Sequence, residues 1–193
     1  MKRMWAVDVE GNGATPPEII ELGIVEMDGL RLTGRIKHWQ FRPELEITPI
    51  VSRIHGITNE DVADAPPFDD VVDDILLWLE GAPIVGHNVR VELEALSKVL
   101  PGWKPAAAYD TLKVARRLLP YQEKFGLERL GDALGLKDAA SKAVGGGAAH
   151  SAPYDAAMSA ILLERLLTPL SVTERDSVLM DADIINVRQG SLL

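Results

Sequence analysis

The 193-residue sequence contains no cysteine, which excludes disulfide bonds, zinc–thiolate and iron–sulfur sites, and a thiol nucleophile. It also has no apolar run near the roughly 18 residues that a membrane-spanning helix needs, so no membrane partner is expected. Basic residues are few, because 20 Lys and Arg stand against 29 Asp and Glu for a net charge of −9. This balance argues against a protein that grips nucleic acid through bulk positive charge. We expect a soluble, cytoplasmic protein.

The remaining composition, 47% apolar and 25% charged residues, is typical of a globular protein with a sizeable core. The first part of the sequence predicts three strands in an antiparallel meander, with Asp28 and Gly29 as the hairpin turn. These strands are expected at residues 5–8, 18–27 and 34–41. Further along, helices are expected at residues 68–79, 91–100, 111–119, 127–134 and 152–167, with short strands at 84–87 and 106–109. This alternation predicts one α/β domain with a mixed sheet.

Local signals refine several of these boundaries. Ser151 is the expected N-cap of the last long helix, and Pro153 suits its first turn. Residues 137–149 include three consecutive glycines and are expected to form a mobile loop. Thr58 or Asn59 is expected to cap a short helix.

An acidic pair in the first strand, Asp8 and Glu10, is the first feature with chemical potential. Residues two apart in a strand leave the same face, with Cα atoms about 6–7 Å apart. Such carboxylates can converge on one divalent ion, or on two ions about 3.5–4 Å apart. Taken alone, two acids at a strand end more often face water. The apolar run just before them favours a buried site, because unpaired buried charges are costly. Oxygen ligands of this kind suit Mg²⁺ or Mn²⁺ better than zinc.

The glycines that follow, Gly11 and Gly13, begin like a dinucleotide-binding fingerprint. The third glycine of that fingerprint is missing, and prolines and a strand follow instead of a helix. We reject this interpretation. The two glycines either form a turn or allow the backbone to approach a ligand.

Two further groups of polar residues lie at the ends of expected elements. His150 and Asp155 flank the start of the last long helix, where an imidazole could take a proton from water and a carboxylate sits near the positive helix end. Asn88 ends a strand and leads into a helix that carries Glu92, at the sheet edge where α/β folds often place sites. Each feature alone is equally explained by capping or by a solvated helix face.

The order of these features resembles a known family. Asp8-x-Glu10, Gly86-His87-Asn88-x-x-x-Glu92 and His150-x₄-Asp155 are similar to the three motifs of the DEDDh 3′–5′ exonucleases. This family includes the proofreading subunit of bacterial DNA polymerase III, ribonuclease T and oligoribonuclease. Supporting similarities follow in the same order at residues 54–58, 109–112 and 127–135. The resemblance spans about residues 4 to 167.

The resemblance implies an RNase H-like fold, with a mixed central β-sheet flanked by helices. It implies hydrolysis from the 3′ end of single-stranded DNA or RNA, which releases nucleoside 5′-monophosphates. By this resemblance His150 is the general base. Two divalent ions, Mg²⁺ or Mn²⁺, are expected as cofactors, with these ligands: Asp8, Glu10, Glu92 and Asp155. The residues expected to hold the terminal nucleotide are Gly11, Asn12, Gly13, His55 and Asn88.

One departure leaves alternatives open. The second motif usually has Asp where this chain has Glu92, and an aromatic residue where it has Val91. The longer carboxylate of Glu92 either keeps its contact with the metals or weakens binding of the second ion. A phosphodiesterase on short oligonucleotides or dinucleotides, and a catalytically weakened binding module of the same fold, are therefore the alternatives.

Domain organisation and assembly follow from the same resemblance. We assign residues 1–168 to the exonuclease domain and residues 169–193 to an extension that packs on the domain or at a dimer interface. The expected assembly is a homodimer or association with a larger nucleic-acid-processing complex. Bound divalent ions would reverse the local charge at the site, so the excess of acids does not exclude nucleic acid 3′ ends as the partner. It favours short or single-stranded ends instead.

Overall fold

The computed structural model describes residues 3–79, 81–146 and 149–186 and contains a five-stranded mixed sheet. Its strands, in the spatial order β3-β2-β1-β4-β5, are β1 (Arg3–Gly11), β2 (Ile19–Asp28), β3 (Arg31–Gln40), β4 (Ile84–Gly86) and β5 (Ala108–Asp110). The first three strands pair antiparallel, while β4 runs parallel to β1 and to β5. The expected meander and mixed sheet are confirmed.

Eight α-helices are found in the described ranges, and a 3₁₀ turn at Phe68–Val71 leads into the second. They are α1 (Pro49–His55), α2 (Val72–Leu79), α3 (Arg90–Val99), α4 (Thr111–Leu118), α5 (Leu127–Leu134), α6 (Lys137–Ala143), α7 (Ala152–Leu167) and α8 (Val172–Ala182). No helix within these ranges is long and apolar enough to cross a membrane.

Strand β1 is buried from both sides of the sheet. Met4 and Ala6 face a core built with α7, and Trp5 and Val7 face a second core built with α2 and α3. A strand covered on both faces has a continuous apolar sequence, as β1 has up to its Asp8. From Asp8 onward the residues of β1 are only partly buried, so the polar groups at its carboxyl end lie at a surface opening.

Helix α7 is the central helix of one layer. Its buried residues lie on nearly all sides, as expected for a helix that packs against the sheet and is covered by α4, α5 and α6. Small side chains, Ala156, Ala157 and Ala160, are fully buried in this core and let the helix lie close to its neighbours. The first turn of α7 thereby comes to the carboxyl end of β1.

Two expectations about local structure are wrong. The expected mobile loop at residues 137–149 begins with a helix, α6, because Ala140 is fully buried against α7 and stabilises it. Residues 147 and 148 of that segment lie outside the described residues. No helix follows Thr58, whose hydroxyl instead donates to Asp61 at 2.8 Å within a turn.

Smaller differences concern element ends. Strand β3 begins at Arg31, three positions earlier than expected, because the hairpin turn takes only two residues. The expected helix at residues 68–79 starts as the 3₁₀ turn. Helix α1 was not expected, and it buries no residue completely.

After residue 170 the chain lies against the domain as helix α8. A capping box between Ser171 and Glu174 starts this helix. Arg117 of α4 pairs with Asp181, and the Asp183 carboxylate accepts the Ala108 N–H of β5 at 3.2 Å. A dimer interface there stays a prediction, and residues 187–193 lie outside the described ranges.

Candidate active site

Three carboxylates meet where β1 ends and α7 begins. One oxygen from each of Asp8, Glu10 and Asp155 lies within 4.8 Å of the other two. Asp8 and Glu10 leave the same face of β1, as the two-residue spacing predicts. Asp155 is in the first turn of α7. All three side chains are half-buried, so the cluster is open to a ligand on one side.

Negative charge in this cluster is poorly compensated by the protein. Burial raises the pKa of Asp8 well above its usual value, and repulsion from Glu92, Asp155 and Glu10 adds to the effect. Burial likewise raises the pKa of Glu10 to about 8, with repulsion from Asp155. It raises the pKa of Asp155 to about 6, although His150 favours the ionised form. Divalent cations that prefer oxygen ligands, such as Mg²⁺ or Mn²⁺, fit these three carboxylates.

Glu92 lies beside this cluster, in the first turn of α3. Its side chain is almost completely buried, and its Oε2 has no hydrogen-bond partner within the described structure. Burial raises its pKa to about 8, together with repulsion from Asp110 and Glu10. Glu92 does not belong to the group whose oxygens all lie within 4.8 Å, yet its charge acts on Asp8. Its role as a metal ligand stays a prediction.

His150 immediately precedes the first turn of α7. Its backbone has a left-handed φ of 65°, and its N–H donates to Oδ2 of Asp155 at 3.2 Å. This hydrogen bond ties the carboxylate to the residue that would act as base. The imidazole is half-buried and close enough to favour the ionised form of Asp155. The structure thus brings His150 to the cluster from the far end of the domain sequence.

A cavity of about 270 Å³ opens next to Glu10. Gly11, Gly13 and His55 line it, together with apolar side chains that include Ile54 and Val91. Gly13 has a φ of 76°, and a Cβ there would lie 2.4 Å from Oγ1 of Thr48, so only glycine fits. His55 accepts the Ile57 N–H on Nδ1 at 3.1 Å, so its other ring nitrogen carries the hydrogen.

Asn12 differs from the glycines beside it, because its side chain is completely buried. Its amide nitrogen donates to Glu18 Oε1 at 3.0 Å and to the Leu45 carbonyl at 3.1 Å. Its oxygen accepts the N–H groups of Ala14 and Glu18. Three of these bonds lie within the loop between β1 and β2, and the bond to Leu45 ties that loop to the segment after β3. The Asn12 side chain therefore stabilises the loop that carries the two glycines.

Asn88 occupies the turn between β4 and α3 and is exposed. Its φ is 65°, and its N–H donates to Oδ1 of buried Asp110 at 2.9 Å. The same oxygen accepts the Leu112 N–H and caps α4. Asp110 therefore fixes both the turn that presents Asn88 and the start of the next helix, a role that the sequence analysis did not assign.

The histidine of the second motif, His87, has its hydrogen-bond partners outside the carboxylate cluster. His87 Nε2 donates to the Phe125 carbonyl at 2.7 Å, and its Nδ1 contacts the Thr111 hydroxyl at 2.9 Å. Burial lowers its pKa. His87 thus connects the end of β4 to α4 and to the loop before α5.

Comparison with known proteins agrees with this geometry. A family model described as Exonuclease, RNase_T, matches residues 6–163. The DNA polymerase III subunit epsilon of Buchnera aphidicola subsp. Schizaphis graminum is 28% identical over 97% of this chain and 82% of its own length. The subunit epsilon of Rickettsia felis is 33% identical over 64% of this chain and 58% of its own length. The chain spans about half the length of the relatives from Pasteurella multocida and Haemophilus influenzae.

Solved structures show the same fold. Exonuclease X in complex with 5′-overhanging duplex DNA superposes with a TM-score of 0.69, at 24% identity over 93% of this chain and 99% of that one. Exonuclease I of E. coli, in complex with a dA16 oligonucleotide, gives a TM-score of 0.74 at 18% identity over 92% and 43% of the two chains. The expected RNase H-like fold is confirmed. Because the family model covers most of the sequence, this chain belongs to the exonuclease family, and its enzyme class is that of the 3′–5′ exonucleases, as its motifs predict.

Proposed function

We propose that this chain hydrolyses single-stranded DNA or RNA from the 3′ end and releases nucleoside 5′-monophosphates with the help of two divalent ions. The observation that carries the proposal is the convergence of Asp8, Glu10 and Asp155, whose oxygens lie within 4.8 Å of one another. Three partly open carboxylates with raised pKa values fit Mg²⁺ or Mn²⁺, which prefer oxygen ligands. Glu92 adds a fourth carboxylate beside them.

The chemical step needs a base and a place for the scissile phosphate. When bound, the divalent ions lower the pKa of a water molecule and stabilise charge on the leaving oxygen. His150 would accept a proton from the attacking water as the water oxygen bonds to phosphorus, and the 3′ oxygen of the neighbouring nucleotide would leave and take up a proton from solvent. The N–H of His150 holds the Asp155 carboxylate, which keeps base and ligand in one arrangement.

The cavity beside Glu10 suits a single terminal nucleoside. Ile54 and Val91 are each about half exposed, at 55% and 51%, and offer apolar surface to a base. His55, Gly11 and Gly13 supply the polar part of the wall.

Substrate length follows from charge. The chain has a net charge of −9, so few phosphates beyond the metals can be held electrostatically. Short single-stranded 3′ ends are therefore the proposed substrates, and a dinucleotide phosphodiesterase is the second candidate. The relatives named as DNA polymerase III subunits suggest association with a larger nucleic-acid-processing complex. A homodimer and a cytoplasmic location stay predictions.

Incubation with 5′-labelled single-stranded DNA, RNA and a dinucleotide tests the proposal, in Mn²⁺ or Mg²⁺ against EDTA. Asp8→Ala and His150→Ala are the inactivating variants, and Asp28→Ala, an exposed carboxylate at the end of β2, is the matched control. A 3′-shortening ladder that persists only in wild type and the control supports the proposal. Cleavage of the dinucleotide alone would favour the second candidate. No metal-dependent cleavage of any substrate would refute both.

A further inference from the structure

Glu21, a buried carboxylate in β2, contacts the first turn of α7 from the neighbouring strand. Its Oε2 accepts the N–H of Ala152 at 2.7 Å. Its Oε1 lies 2.8 Å from Nε2 of His38 on β3 and also accepts a longer bond, at 3.4 Å, from the Gln40 amide. Ala152 is the first residue of α7, and the first N–H groups of a helix have no partner within it. Because Ala152 is fully buried, water cannot replace this bond.

The pKa of Glu21 is shifted in the opposite direction from the pKa values of Asp8, Glu10 and Asp155. Burial alone would raise its pKa, but the hydrogen bonds from His38 and Ala152 outweigh burial and lower it. An ionised carboxylate at a helix N-terminus is favoured by the helix dipole. Glu21 contacts the start of α7 through the Ala152 N–H, and it does not belong to the group of carboxylates whose oxygens all lie within 4.8 Å of one another.

Gly23, the next residue on the same face of β2, allows the close approach. A Cβ at Gly23 would lie 2.3 Å from the nitrogen of Pro153 and 2.4 Å from the carbonyl carbon of Ala152. The register pairs Gly23 directly with Asp8. The backbone at the start of α7 thus packs on β2 next to Asp8. Asp155 lies three residues after Ala152 in the same helix.

We propose that Glu21 is a positioning residue, which His38 holds in place and which seats the first turn of α7 so that Asp155 and His150 reach the carboxylates of β1. The inference rests on the proposed function, since it concerns the same metal site. Glu21 acts through the Ala152 N–H and does not touch the reacting atoms.

Two substitutions at one position separate the hydrogen bond from the charge. Glu21→Ala and Glu21→Gln both remove the charge, but only Gln keeps an oxygen that can accept the Ala152 N–H. Glu26 is the matched control, because it is equally buried on β2 and paired with Arg3 and Arg35, away from α7. The readouts are Mn²⁺ binding by calorimetry, kcat on a 3′-end substrate, and Tm.

Loss of an outer residue that orients a metal ligand typically costs 10- to 100-fold in metal affinity or activity, so we expect Glu21→Ala to weaken Mn²⁺ binding and kcat by about tenfold or more. Glu21→Gln should lose clearly less than Glu21→Ala, because the bond that orients the ligand remains and only the charge that acts on Asp8, Glu10 and Asp155 is removed. Glu26→Ala should lower Tm but leave Mn²⁺ affinity unchanged. Equal losses in both Glu21 variants, or a loss of Mn²⁺ affinity in Glu26→Ala, would overturn the inference.

His38 supplies a second test that keeps Glu21 in place. Its side chain is 45% exposed, so His38→Ala should fold even if Glu21→Ala does not. We expect His38→Ala to weaken Mn²⁺ binding and His38→Gln, which can still donate to Glu21, to restore part of it. Wild-type affinity in His38→Ala would count against the proposal.

A wild-type protein that binds Mn²⁺ without cutting would overturn the proposed function alone, and one that binds no Mn²⁺ would overturn both.

Discussion

Replacement of Asp8 by Asn should stabilise the metal-free protein while it destroys activity. The change keeps the shape of the side chain and removes one charge from a cluster whose oxygens lie within 4.8 Å of one another. Two unit charges at that distance repel by about 3.5 kcal/mol at an effective dielectric constant of 20, and by about 1 kcal/mol in water. For a half-buried group screened by solvent, we expect a gain of about 2 kcal/mol at pH 8.5.

The sign of this effect depends on pH. Because the pKa of Asp8 is raised in the folded protein, the native state binds more protons than the unfolded state between the ordinary carboxyl pKa and the raised one. Wild-type stability therefore falls as pH rises through that range. The raised pKa values of Asp155, about 6, and Glu10, about 8, extend the fall to about pH 8. The advantage of Asp8→Asn should be small near pH 4.5 and largest above pH 8.

Thermal unfolding in EDTA measures the difference. For a chain of this size 1 kcal/mol corresponds to about 2–4 °C, so Tm should rise by about 4–8 °C at pH 8.5. Because we propose that Asp8 is a ligand of Mn²⁺ in the folded protein, we expect the addition of Mn²⁺ to stabilise wild type more than Asp8→Asn and to reverse the order of the two proteins. Glu26→Gln is the control of opposite sign, because it removes a carboxylate paired with Arg3 and Arg35 and should lower Tm.

A lower Tm for Asp8→Asn in EDTA at pH 8.5 would refute the reasoning, since it would show that the carboxylates do not repel one another appreciably. Equal stabilisation of both proteins by Mn²⁺ would also contradict it, because Asp8 would then not contribute to metal binding.

Three further predictions concern individual site residues. His150→Ala should lower kcat by about 10²–10⁴-fold yet keep Mn²⁺ affinity, measured by nuclease assay and calorimetry; a parallel loss of affinity would assign it a ligand role instead. Glu92→Ala should lower activity by about tenfold or more, and wild-type rates in that variant would remove Glu92 from the site. Val91→Phe should lower KM for oligonucleotides about fivefold or more, because base–aromatic stacking contributes about 1–3 kcal/mol; an unchanged KM would show that the base does not contact this wall.

The parts of the fold that the sequence predicts are those with strong local signals. Helix α7 has the expected bounds, since Ser151 and Pro153 mark its start. Helix α5 likewise ends at the left-handed Gly135. Helix α6 was hidden by the glycines that follow it, because its stability comes from burial of Ala140 against α7, which no local pattern reports. The capping box of Ser171 and Glu174 was a readable signal for α8 that the sequence analysis did not use.

The candidate site divides in the same way. The carboxylates of the three motifs were expected together, and the structure brings Asp8, Glu10 and Asp155 to one point. The support beneath them was not predicted. Glu21 contacts His38 on the neighbouring strand, and it contacts Ala152, which is 131 positions further along the sequence. Only the register of the sheet and the packing of α7 reveal these contacts.

The arrangement of β1 and α7 also makes the carboxylate cluster depend on a contact between distant parts of the chain. Asp8 and Glu10 lie in β1 and Asp155 lies in α7, so the cluster requires a contact between residues that are about 150 positions apart in the sequence. Closing so long a loop is slow compared with forming local helices and hairpins. A growing polypeptide that has not yet produced α7 holds two of the three acids and lacks His150. We therefore expect a fragment that lacks α7 to show no nuclease activity.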